Sequence, residues 1–358
     1  MAVTQEQIRS AISELVDPAT GAPFEARSVK VDGDNVAVEV GLGYPAKSVH
    51  ADVRDTIASK LKALPGVGNI SVAVDSKVVA HAVPRGLKLL PGVKNIIAVA
   101  SGKGGVGKST TAVNLALALA AEGAKAGVLD ADIYGPSQQM MLGLSGRPQS
   151  ADGKTIEPME NYGVQAMSIG LLIDVDTPMV WRGPMVTQAL EQLLRDTQWK
   201  ELDYLVVDLP PGTGDIQLTL SQKVPVTGAV IVTTPQDIAL IDARKGLKMF
   251  EKVGVPILGI VENMSTHICS KCGHEEHIFG AGGAEKMCKD YGVDLLGQLP
   301  LDIRIREQAD SGKPTVVADP DGQVAKTYRA MARKVAAKLA TMGKDYSSAF
   351  PNIVVQNT

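Results

Sequence analysis

The sequence predicts an α/β protein: a main domain with a doubly wound, mostly parallel sheet, and a small α+β domain before it. One observation is that apolar runs without polar alternation recur between helical patterns, which is typical of parallel strands covered on both faces. These runs are residues 95–100, 126–130, 164–168, 204–208, 228–233 and 257–262. A second observation is a glycine-rich segment that joins the first run to an apolar helix. We therefore expect ligands beyond the carboxyl ends of the strands.

Residues 1–75 predict the small α+β domain. Thr4 and Gln7 have the spacing of a capping box and open an amphipathic helix, which the Asp17-Pro18 step ends. The remaining elements are strands near 27–31 and 35–40, a helix carrying Val53 to Leu64, and a strand over 67–74. Their order is α-β-β-α-β.

Residues 76–94 contain Pro84, Gly86, Pro91 and Gly92 and predict a linker. The main domain is expected over 95–342, with an insertion near 265–280 that carries a Cys-x-x-Cys pair. Its last helix, about 322–341, is expected to pack on the sheet, and residues 343–358 are expected to form a loosely held tail.

Composition restricts the possible functions of the chain. The formal net charge is −3 and aromatic residues make up 4%, which argues against nucleic acid as a partner. No apolar run has membrane-spanning length and the N-terminus lacks a signal pattern, so we expect a cytoplasmic protein without a membrane partner. Three cysteines in a reducing compartment favour metal or redox chemistry over a disulfide framework.

The glycine-rich segment fits the phosphate-loop pattern G-x-x-x-x-G-K-[ST], which here ends in Lys108-Ser109. Glycines let backbone N–H groups converge on phosphate oxygens, and the following helix N-terminus adds positive charge. Lys108 reaches the terminal phosphates and the Ser109 hydroxyl can bind Mg²⁺. The segment therefore predicts a nucleoside triphosphate site. Its predicted nucleotide-binding residues are Gly102, Lys103, Gly104, Gly105, Val106, Gly107, Lys108, Ser109 and Thr110.

Carboxylates follow two of the predicted strands. Asp130 and Asp132 come at the end of one strand, where paired carboxylates can polarise water and hold a cation. Four apolar residues ending in Asp208 have the form of a strand whose acid binds Mg²⁺ through water. In the segment that follows, Gly212 can bring its N–H close to the γ-phosphate and is a candidate switch residue.

Cys269 and Cys272 form a Cys-x-x-Cys pair, whose soft thiolates suit zinc or an iron–sulfur cluster. Two thiolates fill half of a four-ligand site, so four interpretations stay open. Two copies of the chain could share one [4Fe–4S] cluster, or one chain could hold zinc with a histidine at 267, 274 or 277. The pair could also be a redox dithiol or two free thiols. Cys288, in a predicted helix, is expected to be a small buried residue.

The second loop residue, Lys103, makes the phosphate loop resemble the deviant loop of the MinD, ParA and nitrogenase iron protein group. That resemblance implies that Lys103 crosses a dimer interface to the partner's phosphates, where a cation would offset developing charge. It also implies that Asp132 positions the attacking water, that Asp130 lies near the Mg²⁺ shell, and that Asn263 contacts adenine. No Asn-Lys-x-Asp guanine motif is present, so ATP is expected over GTP.

Further segments extend the resemblance to a narrower family, the Mrp/ApbC iron–sulfur cluster carriers. They are the Asp130 to Ser137 segment, the Trp181 to Met185 segment, the Asp208 segment, Val261 to Ser265 and the cysteine pair followed by Ile278 to Gly280. The N-terminal region resembles a MIP18-like domain of iron–sulfur assembly proteins.

The narrower resemblance implies a slow, homodimeric ATPase that uses ATP and Mg²⁺. It would hold a [4Fe–4S] cluster between two Cys269/Cys272 pairs, receive it from scaffold proteins and pass it to apo-proteins. The alternatives are a MinD/ParA-like positioning ATPase and a zinc-stabilised ATP-dependent scaffold.

Overall fold

The computed structural model describes residues 3–83, 87–173, 183–269 and 271–344. Among these residues the helices are α1 (Gln5–Ser13), α2 (His50–Lys62), α3 (Lys108–Ala121), α4 (Gln138–Met141), α5 (Gly183–Asp196), α6 (Asp215–Lys223), α7 (Asp237–Val253), α8 (Gly283–Tyr291), α9 (Ile303–Asp310), α10 (Thr315–Ala318) and α11 (Gln323–Ala340). The strands are β1 (Ala26–Asp32), β2 (Asn35–Leu42), β3 (Ile70–Ser76), β4 (Val93–Ser101), β5 (Ala126–Asp130), β6 (Met159–Asn161), β7 (Val164–Ser168), β8 (Leu202–Asp208), β9 (Gly228–Thr233), β10 (Ile257–Glu262), β11 (His267–Ile268), β12 (Glu275–Glu276) and β13 (Leu295–Gln298).

The large sheet has the order β13-β10-β9-β4-β8-β5-β7-β6, and only the β6–β7 pair is antiparallel. The chain runs from β4 outward to β7, returns through β8, and continues through β9 and β10 on the other side. The loop after β4 therefore lies near the reversal of winding, where such sheets bind ligands. This arrangement confirms the predicted doubly wound, mostly parallel fold.

Most central strands were predicted to the residue. Because β5, β7, β9 and β10 are covered on both faces, their apolar runs are continuous, and their observed bounds equal the predicted ones. Strand β8 begins two residues earlier than predicted, at Leu202. The short edge strands β6 and β13 were not predicted, since three or four residues carry little pattern.

The small domain has the predicted α-β-β-α-β order, with β2 between an antiparallel β1 and a parallel β3. The capping box is present: Gln7 N–H donates to Thr4 Oγ1 at 3.2 Å and Thr4 N–H donates to Gln7 Oε1 at 2.9 Å. Strand β3 starts at Ile70 rather than at residue 67. The Gly68 N–H before it donates a hydrogen bond to Asp34 O at 2.8 Å.

A fully buried carboxylate joins the small domain to the large one. Glu122 caps the C-terminus of α3 and accepts hydrogen bonds from Ser48 N–H (3.0 Å), Ser48 Oγ (2.6 Å) and Arg333 Nη1 (2.7 Å). One apolar core also continues from Ile12 of the small domain to Val335 of α11. The small domain therefore packs at the end of α3 opposite the phosphate loop, about 20 Å away by helical rise.

Residues of the predicted linker also touch the large domain. The buried His81 donates from Nδ1 to Asn95 Oδ1 at 2.9 Å, and Ala82 N–H donates to Gly343 O at 2.9 Å. Pro84, Gly86, Trp181, Arg182, Ser270 and residues 345–358 lie outside the described residues. The helices in the described ranges include none with the length and apolarity to cross a membrane.

Candidate functional site: phosphate loop and cysteine hairpin

The phosphate loop (residues 102–109) needs its glycines for steric reasons. Gly107 has φ +83°, and a Cβ there would lie 2.1 Å from Asn263 Nδ2. At Gly102 a Cβ would lie 2.2 Å from the backbone carbon of Asp242 in α7. A Cβ added at Gly104 or Gly105 would meet no other atom within 4 Å, and Gly105 has φ +80°. Helix α3 then begins without a side-chain cap, so its first N–H groups can bind an anion.

Lys108 is the buried cation of the site, with 6% of its side chain exposed. Its Nζ lies 2.5 Å from Asp208 Oδ1, 3.2 Å from Ser109 Oγ and 3.8 Å from Asp132 Oδ2. Asp208 is completely buried at the end of β8. The structure therefore brings the predicted lysine, hydroxyl and two of the predicted carboxylates together.

Asp130 lies beside Asp208 at the end of β5 and is also fully buried. Burial, followed by the neighbouring Asp208 charge, raises the pKa of Asp130 to about 7. Three backbone N–H donors oppose that rise, those of Asp132 (3.1 Å), Ser137 (2.8 Å) and Gln138 (2.9 Å). Burial also raises the pKa of Asp132, against the attraction of Lys108. Charge in this pocket is thus poorly solvated.

Gln138 is a site residue that the sequence reasoning missed. Its Nε2 donates to Asp208 Oδ2 at 2.9 Å and to Ser109 O at 3.1 Å, and the residue is fully buried. It immediately follows the Asp130 to Ser137 segment, which was its only sequence signal. Gln138 orients the Asp208 carboxylate from the side opposite Lys108.

The other predicted residues surround this centre. Gly212, at φ +98° with open space at its Cβ position, donates its N–H to Ser101 O at 3.0 Å. Lys103 makes no ion pair with any residue of the described part of the chain. Thr110 lies in the first turn of α3, where its carbonyl accepts from Asn114 Nδ2 at 2.9 Å.

Asn263 follows β10 and lies against the phosphate loop. Its Nδ2 donates to Val106 O at 2.9 Å, and its own N–H donates to Thr233 O at 2.8 Å. The resemblance implied contact with adenine, and that role stays a prediction. The contact with the loop backbone was not expected from the sequence.

The cysteine hairpin (residues 267–276) pairs β11 with β12 in antiparallel register. Cys269 N–H donates to His274 O and Gly273 N–H donates to Cys269 O, both at 2.9 Å. Cys272 is exposed and Cys269 is half-buried. Across the described ranges, no three histidine, cysteine or acidic side chains converge as a metal site. Two thiols therefore converge on the surface without a third ligand from the described part of the same chain.

The cysteines differ in acidity as well as in exposure. Hydrogen bonds from the Lys271 and Cys272 N–H groups, then from the Cys272 side chain, lower the pKa of Cys269 below its ordinary value. Burial raises the pKa of Cys288, in α8, to about 11. Cys288 is thus the buried residue that the sequence predicted, and thiolate chemistry belongs to the hairpin.

The donors present suit a nucleoside triphosphate with Mg²⁺: an uncapped helix N-terminus, a lysine, a hydroxyl and buried carboxylates at one sheet edge. Fold and site together define a P-loop nucleoside triphosphatase class of protein. The sequence profile described as the NUBPL iron-transfer P-loop NTPase matches residues 92–336, and that of an iron–sulfur cluster assembly protein matches residues 5–72. The chain belongs to the iron-transfer P-loop NTPase family.

Named relatives cover most of the chain. An iron–sulfur cluster carrier protein of Pseudomonas fragi is 60% identical over 75% of this chain and 94% of its own length. A carrier protein of Escherichia coli K12 is 54% identical over 87% and 85% of the two chains. The iron–sulfur cluster transfer protein NUBPL of Mus musculus is 53% identical over 74% and 83%.

Solved structures agree with this fold. The nucleotide-binding protein of Archaeoglobus fulgidus in complex with ADP has a TM-score of 0.57 and 36% identity, over 66% of this chain and 93% of its own. The cell division ATPase MinD of Pyrococcus furiosus has a TM-score of 0.52 over 67% and 98% of the two chains. At 24% identity, MinD supports the fold alone.

Proposed function

We propose that this chain is an ATP-dependent carrier of iron–sulfur clusters that holds a [4Fe–4S] cluster between two copies of itself and transfers it to apo-proteins. The observation that carries the proposal is the pair of neighbouring thiols in the hairpin, exposed at Cys272 and half-buried at Cys269. One chain contributes two thiolates, and four complete the usual ligand set of such a cluster. A two-fold dimer supplies the other pair.

The nucleotide half of the function uses the phosphate loop. ATP would bind with its phosphates on the loop N–H groups and Lys108, and Ser109 and Asp208 would hold the Mg²⁺ that offsets the phosphate charge. Asp132, 3.8 Å from Lys108, orients the attacking water. Gly212 exchanges its present N–H bond to Ser101 O for one to the γ-phosphate. Lys103 of one copy completes the site of the other by offsetting phosphoryl charge.

Exposed apolar side chains beside the loop support the dimer. Helix α7 packs on the loop at Gly102, and its first turns expose Ile238 (71%) and Ile241 (49%). The cysteine hairpin exposes Ile268 (57%), and Ile278 just after it is 51% exposed. Apolar surface at both sites suits burial against a second copy.

Relatives named as cluster carriers and a cluster transfer protein support cargo transfer. The matched N-terminal assembly profile suits docking with scaffold or acceptor proteins. We further propose that the chain works in the cytoplasm, where reducing conditions keep Cys269 and Cys272 as thiols. ATP binding and slow hydrolysis then control how tightly the dimer holds its cargo.

The first test is anaerobic iron–sulfide reconstitution of the natural sequence, Cys269→Ala, Cys272→Ala and Cys288→Ala, followed by metal analysis. We expect about four iron atoms per dimer and a visible charge-transfer band. Both should be lost in the two hairpin variants and kept in Cys288→Ala. About one zinc per chain that iron does not displace would instead support a zinc-stabilised scaffold.

A second test measures cluster transfer from the loaded dimer to an apo-acceptor with ATP, with ADP and without nucleotide. We expect the transfer rate to depend on the nucleotide. Equal rates in all three conditions would remove the coupling from the proposal while leaving cluster binding intact.

A further inference from the structure

Asn263 connects the phosphate loop to the segment that leads into the cysteine hairpin. Its side chain donates to Val106 O at 2.9 Å, and its backbone N–H is fixed to Thr233 O of β9 at 2.8 Å. A Cβ at Gly107, which has φ +83°, would lie 2.1 Å from this amide. Cys269 lies only six residues further along the chain.

The residue after Asn263 is held in an unfavourable backbone conformation. Met264 has φ +58°, in the left-handed region, which is unfavourable for a residue with a side chain. Such a conformation persists only where neighbouring contacts fix it, and it is found at sites that switch. Here the neighbours are Asn263 on one side and Ser265 on the other.

Ser265 ties the same segment to the hairpin. Its N–H and Oγ both donate to Leu299 O, at 2.9 and 3.2 Å, and it is buried. Its carbonyl oxygen lies 2.8 Å from His277 Nδ1, just beyond the second hairpin strand. His267, at the first hairpin strand, is held in turn by Leu301 O at 2.9 Å. The segment thus contacts the far end of the hairpin through His277, while the chain after β13 holds its near end through Leu301.

Triphosphate binding changes the interactions of the loop that Asn263 touches. Lys108 is paired with Asp208, and phosphate oxygens compete with that carboxylate for its ammonium group. Val106 and Gly107 immediately precede Lys108, so a shift of the lysine alters the carbonyl that Asn263 holds. A rigid connector passes that shift on, whereas a flexible one absorbs it.

We infer that Asn263 and Met264 are positioning residues that transmit the state of the phosphate loop to the cysteine hairpin. The inference rests on the proposed function, because it assigns the structural link between nucleotide and cluster. Asn263 senses the Val106 carbonyl, and the constrained Met264 transfers its movement to Ser265 and the hairpin. Neither residue takes part in the chemistry.

The test uses the full chain carrying Cys288→Ala and measures iodoacetamide alkylation of Cys269 and Cys272 by mass spectrometry. Rates are compared without nucleotide and with saturating Mg²⁺ and a non-hydrolysable ATP analogue. We expect nucleotide to change the alkylation rate about fivefold or more. In Met264→Gly the nucleotide-dependent change in alkylation rate should fall below about twofold, because glycine adopts the left-handed region freely. The variant should retain its affinity for nucleotide. Asn263→Ala should lose the change at saturating nucleotide as well.

Glu201→Gly is the matched control, because Glu201 also has a positive φ (+49°) but lies on an exposed turn at the opposite end of β8 from Asp208. Glu201→Gly should keep the full nucleotide-dependent change in alkylation rate. A full response in Met264→Gly, a lost response in Glu201→Gly, or no response in the parent chain would each overturn the relay. Iron–sulfide reconstitution of the same proteins tests the proposed function separately, since Met264→Gly should still bind a cluster.

Discussion

The phosphate loop and the cysteine hairpin lie on either side of Asn263, yet they are built in opposite ways. The loop centres on a buried ion pair, with Lys108 6% and Asp208 0% exposed, and is fixed by tight approaches of α7 and Asn263. The hairpin has two-residue strands, and most of its described side chains are exposed. A buried ion pair needs a packed setting, whereas a site that is proposed to bind a cluster between two copies and release it must stay accessible.

The largest expected difference is in the free energy of unfolding, when one lysine in each region is replaced by methionine. Lys108→Met leaves the Asp208 carboxylate buried without its cation, and breaking such a pair costs about 3–5 kcal/mol. Lys271→Met, in the exposed hairpin, should change the free energy of unfolding by less than about 0.5 kcal/mol. Denaturant unfolding of both variants checks this. Equal costs would mean that the ion pair does not stabilise the loop.

Thiol alkylation compares the hairpin with the packed core. The thiolate is the reactive form, so the lowered pKa of Cys269 makes its rate level off at a lower pH than for an ordinary cysteine. Cys288, with a pKa of about 11, should still be gaining reactivity at the highest pH used. At pH 8 we expect Cys269 to react about 100-fold faster or more, from thiolate fraction and burial together. Mass spectrometry between pH 6.5 and 9.5 measures both rates, and similar rates would contradict the assigned environments.

Two glycines with the same backbone conformation sharpen the contrast further. Gly107→Ala and Gly273→Ala both place a side chain at positive φ, at a cost of about 1–2 kcal/mol. Only the Gly107 variant also meets the Asn263 amide, so it should lose about 1 kcal/mol more and bind nucleotide poorly. Gly273→Ala should bind nucleotide normally. Thermal unfolding and nucleotide titration test the pair, and equal behaviour would show that the loop can move away from Asn263.

The smallest expected effect on stability is that of Cys272→Ser. This exposed side chain has few contacts to lose, so the free energy of unfolding should stay within about 0.5 kcal/mol of the natural sequence. Cluster loading should nevertheless be abolished, because serine is a poor ligand for iron. A strongly destabilised variant would mean that Cys272 has a structural role in the hairpin.

Much of the fold was predictable because its signals are local. The strands near β4 are covered on both faces and therefore appear as continuous apolar runs, and the capping box joins Thr4 to Gln7, three positions along the chain. The short strand β13 could not be predicted, because it is defined by pairing with β10 rather than by its own sequence. Gln138 was missed for a related reason, since nothing in its neighbourhood shows that Asp208, 70 residues away, lies within hydrogen-bonding distance.

The fold class, the phosphate loop and the paired thiols can be predicted from the sequence, because each depends on residue types at fixed short spacings. Which distant groups meet depends on the tertiary structure. It pairs Lys108 with Asp208, and it joins the small domain to the large one through the hydrogen bonds of Glu122. It also brings the Asn263 amide into contact with the phosphate-loop backbone. Such contacts depend on how strands are ordered across a sheet, and a strand's position in that order is set by packing with elements far away in the chain.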